Sequence, residues 1–270
     1  MPELPEVETT LKAIIPFLKN SLIHDVIVYQ PKLRWPVSSE IPQKLIGLPI
    51  LSVWRRAKYL ILEQQDGACM IHLGMSGKLR IMPKDSKPVL HDHVVFYIGN
   101  IQLHFNDPRR FGSVLWVDKP ILEHKLLSLL GPEPLGSSFC ADVLYEKTRG
   151  KKSLVKSWIM NAKNIVGVGN IYASESLFMA NISPFRIVCE LNYDDCCNLV
   201  LCIKKVLQKA IEAGGTTLKD FKSPDAKIGY FQQQLLVYGK VNEQCTVCSG
   251  IIKQVVIAQR SSFYCQNCQV

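Results

Sequence analysis

The chain has 270 residues, 47% of them hydrophobic and 20% charged, and its 32 Lys and Arg outnumber 23 Asp and Glu to give a formal net charge of +9. That length allows more than one cored domain, and the positive balance points to polyanionic partners, nucleic acid first and an acidic membrane surface second. Acidic first residues argue against a secretory signal, no apolar run reaches the ~18 residues of a spanning helix, and ten unevenly spread cysteines argue against a disulfide framework, so a soluble intracellular protein is expected.

The chain opens MPELPEVETT. Val7, Leu11, Ile14, Ile15 and Leu18 repeat with helical spacing, Pro5 suits a first turn, and Glu3, Glu6 and Glu8 suit the positive end of a helix dipole, which predicts a helix over about 7–18. Pro2 lies ahead of that helix and cannot stabilise it. From Ile50 to Val117 the apolar residues alternate or run together as in strands, and Gly99–Asn100 between two such runs predicts a tight hairpin. Sheets packed on sheets, with the opening helix against them, follow from that pattern. The break "LGPEPLG" at 130–136 precedes a change to helical periodicity, with helices expected over about 153–161, 171–180 and 194–213. Cys69, Cys140, Cys189, Cys196, Cys197 and Cys202 fall in apolar or helical stretches and read as small buried or half-buried hydrophobes.

Three stretches carry chemistry. "CTVC" at 245–248 and "CQNC" at 265–268 are two C-x-x-C pairs separated by 16 residues, the spacing of a tetrahedral structural zinc site whose ligands are Cys245, Cys248, Cys265 and Cys268. With all four ligands from protein, no position is left for Lewis-acid work. Arg260 lies where the intervening β-type run would turn, either reaching a phosphate or standing as a solvated charge. "NDPRRFG" at 106–112 presents Arg109, Arg110 and Phe111 together, which suits an aromatic wedge between bases or equally a core Phe flanked by solvated arginines. Met75 in "HLGMSGKLR" is a second glycine-flanked apolar tip. Gly167 and Gly169 before Asn170 form a loop at a helix start that would cradle a phosphate, with Lys151, Lys152 and Lys156 near in sequence; Asn170 as a simple N-cap is the other reading.

In order along the chain, "MPELPEVET", "RRAKYL", "HLGMSG", "HDH", "DPRRFG", "LGPEPL", "GVGNIYASESLF", "GGTTLKDF", "VYG" and "AQRSSFYCQNCQ" resemble the formamidopyrimidine-DNA glycosylase family, a relative of endonuclease VIII. Leu4, and the long segment from Gly214 to Tyr238, favour the purine-type branch. Asn106 and Trp54 depart from the forms associated with bacterial members, which puts no catalytic role in doubt.

The resemblance implies an α+β multidomain fold: an N-terminal β-sandwich with its opening helix (1–131), a helical helix-two-turns-helix domain (132–225), and the rest of a lesion loop with a C-terminal zinc ribbon (226–270), DNA being held between them. It implies a glycosylase and AP lyase that removes 8-oxoguanine and formamidopyrimidines from double-stranded DNA, with one structural zinc, no nucleotide cofactor, no membrane, and a monomeric, cytoplasmic, nucleoid-associated existence. Removal of Met1 would make Pro2 the terminus, and its secondary amine would attack the sugar C1′. Glu3 is then the acid for sugar ring opening, a role that calls for a raised pKa; Lys58 is the base or proton donor of β-elimination, Arg260 serves δ-elimination and phosphate, and Glu6 orients the cluster. Met75, Arg109 and Phe111 fill the void left by base flipping; His91, Lys151, Lys156, Asn170 and Arg260 contact phosphate or nucleotide; residues 216–238 cover the base, with Lys156 and Glu175 bearing on the lesion. Two other functions stay open on residues alone: an endonuclease VIII-type glycosylase for oxidised pyrimidines, and a zinc-ribbon DNA-binding protein without catalysis.

Overall fold

The computed structural model describes residues 2–215 and 231–270, so most of the expected lesion-covering segment lies outside the described residues. Two units are distinguished, one built on Met1–Leu129 with Gly214 and Gly215, the other on Leu130–Ala213 and the residues after 230.

The first unit opens with α1 (Leu4–Leu18), which begins three residues before the predicted start. The reason is a capping box made of two glutamates: Glu3 is the N-cap, its backbone N–H donates to Glu6 Oε2 at 2.8 Å, and Pro5 follows in the first turn, where a missing N–H costs nothing. A short helix α2 (Ile41–Leu45) was not foreseen. Eight strands follow the chain order β1 (Ile23–Val28), β2 (Ser52–Arg56), β3 (Tyr59–Glu63), β4 (Gly67–His72), β5 (Lys78–Pro83), β6 (Asp92–Ile98), β7 (Ile101–Asn106) and β8 (Ser113–Asp118). They form two antiparallel four-stranded sheets, ordered β1-β6-β7-β5 and β2-β3-β4-β8. The expected hairpin turns at Gly99–Asn100, pairing Ile98 with Ile101. Val26, Phe96, Leu103 and Phe105 of one sheet share a single core with Leu60, Leu62, Ile71 and Val114 of the other, and Val7, Leu11, Ile14 and Leu18 of α1 join it, which makes the unit a β-sandwich closed at one side by the opening helix.

The second unit holds α3 (Ala141–Thr148), α4 (Val155–Ile159), α5 (Asn170–Met179) and α6 (Tyr193–Glu212). Helices α4, α5 and α6 match the predicted periodicity; α3 escaped it because the helix buries little beyond Leu144 and Thr148. Trp158, Tyr172, Leu177, Leu199, Ile203 and Leu207 form the helical core. α6 starts on a capping box in which Asp195 N–H donates to Asn192 Oδ1 at 2.8 Å and Asn192 N–H to Asp195 Oδ2 at 3.0 Å. The chain ends in the hairpin β9 (Ile252–Ile257) and β10 (Arg260–Cys265), whose Ile252 and Phe263 pack with Val237 and with Phe178 of α5. Among the described residues no helix is long and apolar enough to cross a membrane.

Candidate active site

In the first unit the opening residues are largely withdrawn from solvent. Pro2 is half-buried, and Glu3 and Glu6 are each only 2% exposed. Lys58 lies in the two-residue turn between β2 and β3, beside Ala57, whose φ of +53° puts the turn in the left-handed region. Arg55 fixes that turn from within: its Nη1 donates to the Ala57 carbonyl at 2.7 Å while its Nε donates to Glu8 Oε2 of α1 at 2.7 Å. One guanidinium therefore ties the Lys58 turn to the helix that Glu3 caps and Pro2 precedes.

Next in the sheet, Tyr59 pairs with His72, their ring centres 4.8 Å apart. Burial foremost, then the charges of Lys58 and Arg34, push the His72 pKa down to about 4, with Asp107 acting in the other direction. The imidazole is thus neutral near pH 7, and since Gly74 N–H donates to its Nδ1 at 3.0 Å, the ring proton sits on Nε2. A neutral N–H donor beside two cations suits an anionic ligand.

Phe111 is exposed, not core: 43% of it faces solvent, with the Arg109 guanidinium 4.9 Å from its ring centre, and Met75 is 40% exposed. Arg110 and His91 hold left-handed backbone, at φ of +56° and +70°. A loop that the sequence pattern did not single out joins this face, for Arg34 N–H donates to the Gly112 carbonyl at 3.2 Å, and exposed Trp35 lies beneath the Arg34 guanidinium.

In the second unit Lys151 and Lys152 are exposed, whereas Lys156 is 1% exposed. Its Nζ donates to Asn170 Oδ1 at 2.7 Å and Ser262 Oγ at 2.5 Å, with the Ser261 carbonyl at 3.3 Å, so it fastens α4 to both α5 and β10. Asn170 is not an N-cap; Gly169 holds that position, and the Asn170 amide donates to the Ser261 carbonyl at 2.9 Å and the Tyr238 hydroxyl at 3.3 Å. Arg260 stands exposed just past the Ala258–Gln259 turn and, with Lys156, Ser157, Met160, Asn161 and Ile257, lines a pocket of about 180 Å³. Glu175 faces the backbone rather than open space: its carboxylate accepts N–H bonds from Leu236 (2.8 Å), Val237 (3.0 Å) and Tyr238 (2.8 Å), and burial still raises its pKa against those bonds.

The four ribbon cysteines converge, with all Sγ atoms within 4.8 Å of one another, 3.8 Å between Cys245 and Cys268 and 3.4 Å between Cys248 and Cys265. Sulfurs at ~2.3 Å from a tetrahedral zinc stand about 3.8 Å apart, so the set fits one zinc with no open coordination position. Val247 N–H points to Cys245 Sγ at 3.4 Å. Among the other cysteines, Cys69 is fully buried and its thiol is pushed up to about 12, which leaves no nucleophile there.

Comparison with known proteins is consistent along the whole chain. Residues 1–114 match the formamidopyrimidine-DNA glycosylase N-terminal domain, 130–222 its H2TH domain, and 242–270 the zinc finger found in FPG and IleRS. The formamidopyrimidine-DNA glycosylase of Hydrogenovibrio crunogenus is 51% identical over 100% of this chain and 96% of its own length, and that of Escherichia coli O7:K1 is 51% identical over the full length of both. The chain belongs to the formamidopyrimidine-DNA glycosylase family. Among solved members, Lactococcus lactis Fpg in complex with DNA containing an abasic site superposes with a TM-score of 0.92 at 31% identity, covering 99% of both chains, and MutM in complex with DNA containing carbocyclic 8-oxo-G with 0.91 at 31%, again over 99% of both. Within this family frame, the geometry adds His72, Tyr59, Arg34 and Trp35 to the residues the sequence pattern marked; the adjacent basic and aromatic residues of "LRW" were a signal that the strand reading passed over.

Proposed function

We propose that this DNA glycosylase and AP lyase of base excision repair takes oxidised purines from duplex DNA through the terminal amine of Pro2. The observation that carries the reading is the fixed start of α1, where the Glu3–Glu6 capping contact holds the residues beside Pro2 and the Arg55–Glu8 pair holds the Lys58 turn on the same helix. The helix N-terminus favours the neutral amine and the two carboxylates oppose it.

In the proposed sequence the Pro2 nitrogen lone pair attacks C1′, the glycosidic bond breaks and the base leaves, while Glu3 gives a proton to the sugar ring oxygen as the ring opens. A secondary amine yields an iminium that stays cationic. That electron sink acidifies the C2′ proton; its removal, with Lys58 in the proton relay, sends the electron pair to C3′ and expels the 3′ phosphate. A second elimination, with Arg260 at the 5′ phosphate, expels that group, and addition of water to the iminium carbon, with cleavage of the C–N bond, returns the amine. Glu6 positions Glu3 through its backbone. His91, Lys151, Lys156, Asn170 and Arg260 serve the phosphates and the nucleotide, and Met75, Arg109 and Phe111 enter the space of the flipped base. The structural zinc keeps the hairpin bearing Arg260 in shape and takes no part in bond making. The functional parts divide at 1–131, 132–225 and 226–270, and the protein works on nucleoid DNA in the cytoplasm.

Borohydride trapping on a duplex with 8-oxoguanine opposite cytosine, followed by mass spectrometry of the N-terminal peptide, tests this. An adduct on Pro2 is expected. Efficient excision with no adduct on a confirmed Pro2 terminus would sink the amine assignment, and excision of oxidised pyrimidines in preference to 8-oxoguanine would sink the substrate assignment.

A further inference from the structure

Asp107 is completely buried at the foot of the loops that bear Met75, Arg109 and Phe111, and every polar atom it has is in use. Its Oδ1 accepts from Ser76 Oγ at 2.5 Å and from Arg109 N–H at 3.3 Å, and its Oδ2 accepts from Gly112 N–H at 2.8 Å. Its own N–H donates to the His91 carbonyl at 3.0 Å, while its carbonyl accepts from Arg110 N–H at 3.1 Å and lies 2.7 Å from His93 Nε2. Ser76 Oγ in turn accepts from Arg109 N–H at 3.2 Å. The two loops also interlock sterically: Gly74 has φ of +63°, and a Cβ there would lie 2.4 Å from the Phe111 carbonyl carbon.

We propose that Asp107 is a positioning residue for base extrusion, setting Met75 against Arg109 and Phe111 and both against His91, so that three side chains from two loops enter one gap as a unit. The proposal rests on the reading that those three occupy the space of the flipped nucleotide. The physical case is that a gap one base thick tolerates little misplacement, and loops supply little stiffness of their own. A carboxylate suits this position because it offers acceptors to both loops at once, and charged acceptors make the stronger hydrogen bonds. Asparagine cannot replace it. If its amide turns Nδ2 to Ser76, the Arg109 N–H meets a donor; if it turns Nδ2 the other way, the Gly112 N–H does.

The test compares two substrates under single-turnover conditions: a duplex with 8-oxoguanine opposite cytosine, and a single-stranded abasic oligonucleotide, which has no partner base and no stack to hold open. Asp107→Asn and the milder Ser76→Ala are expected to lose on the order of 10- to 100-fold in the saturating duplex rate, with KM little changed, and to incise the single strand as the unaltered protein does. Phe111→Ala and Arg109→Ala serve as controls and should show the same split. Asp107→Asn and Ser76→Ala at full duplex rate, with the controls impaired, would overturn the proposal and leave the void-filling reading intact. Controls at full duplex rate would sink that reading and the proposal with it. Equal loss on both substrates in both variants would mean that Asp107 only maintains the fold.

Discussion

Arg55 donates from Nε to Glu8 of α1 and from Nη1 to the carbonyl of Ala57, each at 2.7 Å, so that a helix and a turn far apart in the chain share one guanidinium. Loosening it should disturb Lys58 before it disturbs the fold. Glu8→Gln is expected to slow β-elimination of abasic DNA by about tenfold, the size of a modest misplacement, with DNA affinity unchanged in a gel-shift titration. A variant that eliminates normally but binds poorly would assign the pair to DNA binding instead.

Glu3→Gln separates the two reactions. Without a proton for the ring oxygen, 8-oxoguanine excision should fall by about 10²- to 10⁴-fold, the usual contribution of a general acid. Incision at a preformed abasic site, whose sugar already opens in solution, should fall far less. Rates measured side by side on both substrates check this, and an equal loss on both would remove Glu3 from the acid role.

The four-cysteine site gives a metal prediction. Ligation of a zinc ribbon is coupled to its folding, so Cys248→Ser, or exhaustive chelation, should release one zinc per chain and abolish duplex binding, with recovery on adding zinc to the chelated protein. Colorimetric zinc release and fluorescence anisotropy on labelled duplex are the readouts. Undiminished binding by zinc-free protein would contradict the role given to the Arg260 hairpin.

His72 carries a pH dependence. Its pKa is held near 4 in the fold, against ~6.5 in an unfolded chain. Between those values the unfolded chain takes up a proton that the folded one refuses. Stability is therefore lost as pH falls through that window, by up to ~3 kcal/mol from this residue alone. In His72→Gln the loss between pH 6.5 and 4 should shrink correspondingly, as read from urea midpoints at several pH values. Identical slopes in the two proteins would show that another group governs acid unfolding.

Glu175 closes the second unit around the residues after 235. Glu175→Ala leaves three backbone N–H groups, of Leu236, Val237 and Tyr238, without their acceptor. A cost of about 2–4 kcal/mol follows from unsatisfied buried donors, and amide hydrogen exchange should accelerate first at those three positions. Protection unchanged there would show that water substitutes for the carboxylate.

What could be read in advance divides along physical lines. Spacing alone marked the zinc ligands, because a tetrahedral site demands two turns of fixed length; alternation marked β6 and β7, because Gly99–Asn100 punctuates them. The start of α1 was misplaced since its cap is a glutamate, where serine, threonine or aspartate is the usual sign. α3 lacked a stripe to detect. Lys58 in isolation is an ordinary strand charge, and only the ordered set of motifs gave it a role; its link to Glu8, 50 positions earlier in the chain, is purely tertiary. His72 and Asp107 sit inside motifs that were visible, yet their work depends on partners brought in from other strands. Glu175 illustrates the converse, a residue tied by resemblance to the lesion whose carboxylate proves to be occupied by the protein's own backbone.

The Glu3–Glu6 contact has a consequence for timing. Chain ends ordinarily fray, and a reactive group placed on one would have to be ordered each time a substrate arrived. Here Glu3 is fixed as the cap of the first helix, so under the role proposed for Pro2 the entropy of aiming the nucleophile would belong to the folding reaction and be absent from every later turnover. On that same proposal, a residue fused ahead of Pro2 is expected to leave the helix, the core and the zinc site untouched and to yield a well-folded protein that binds damage without cutting it.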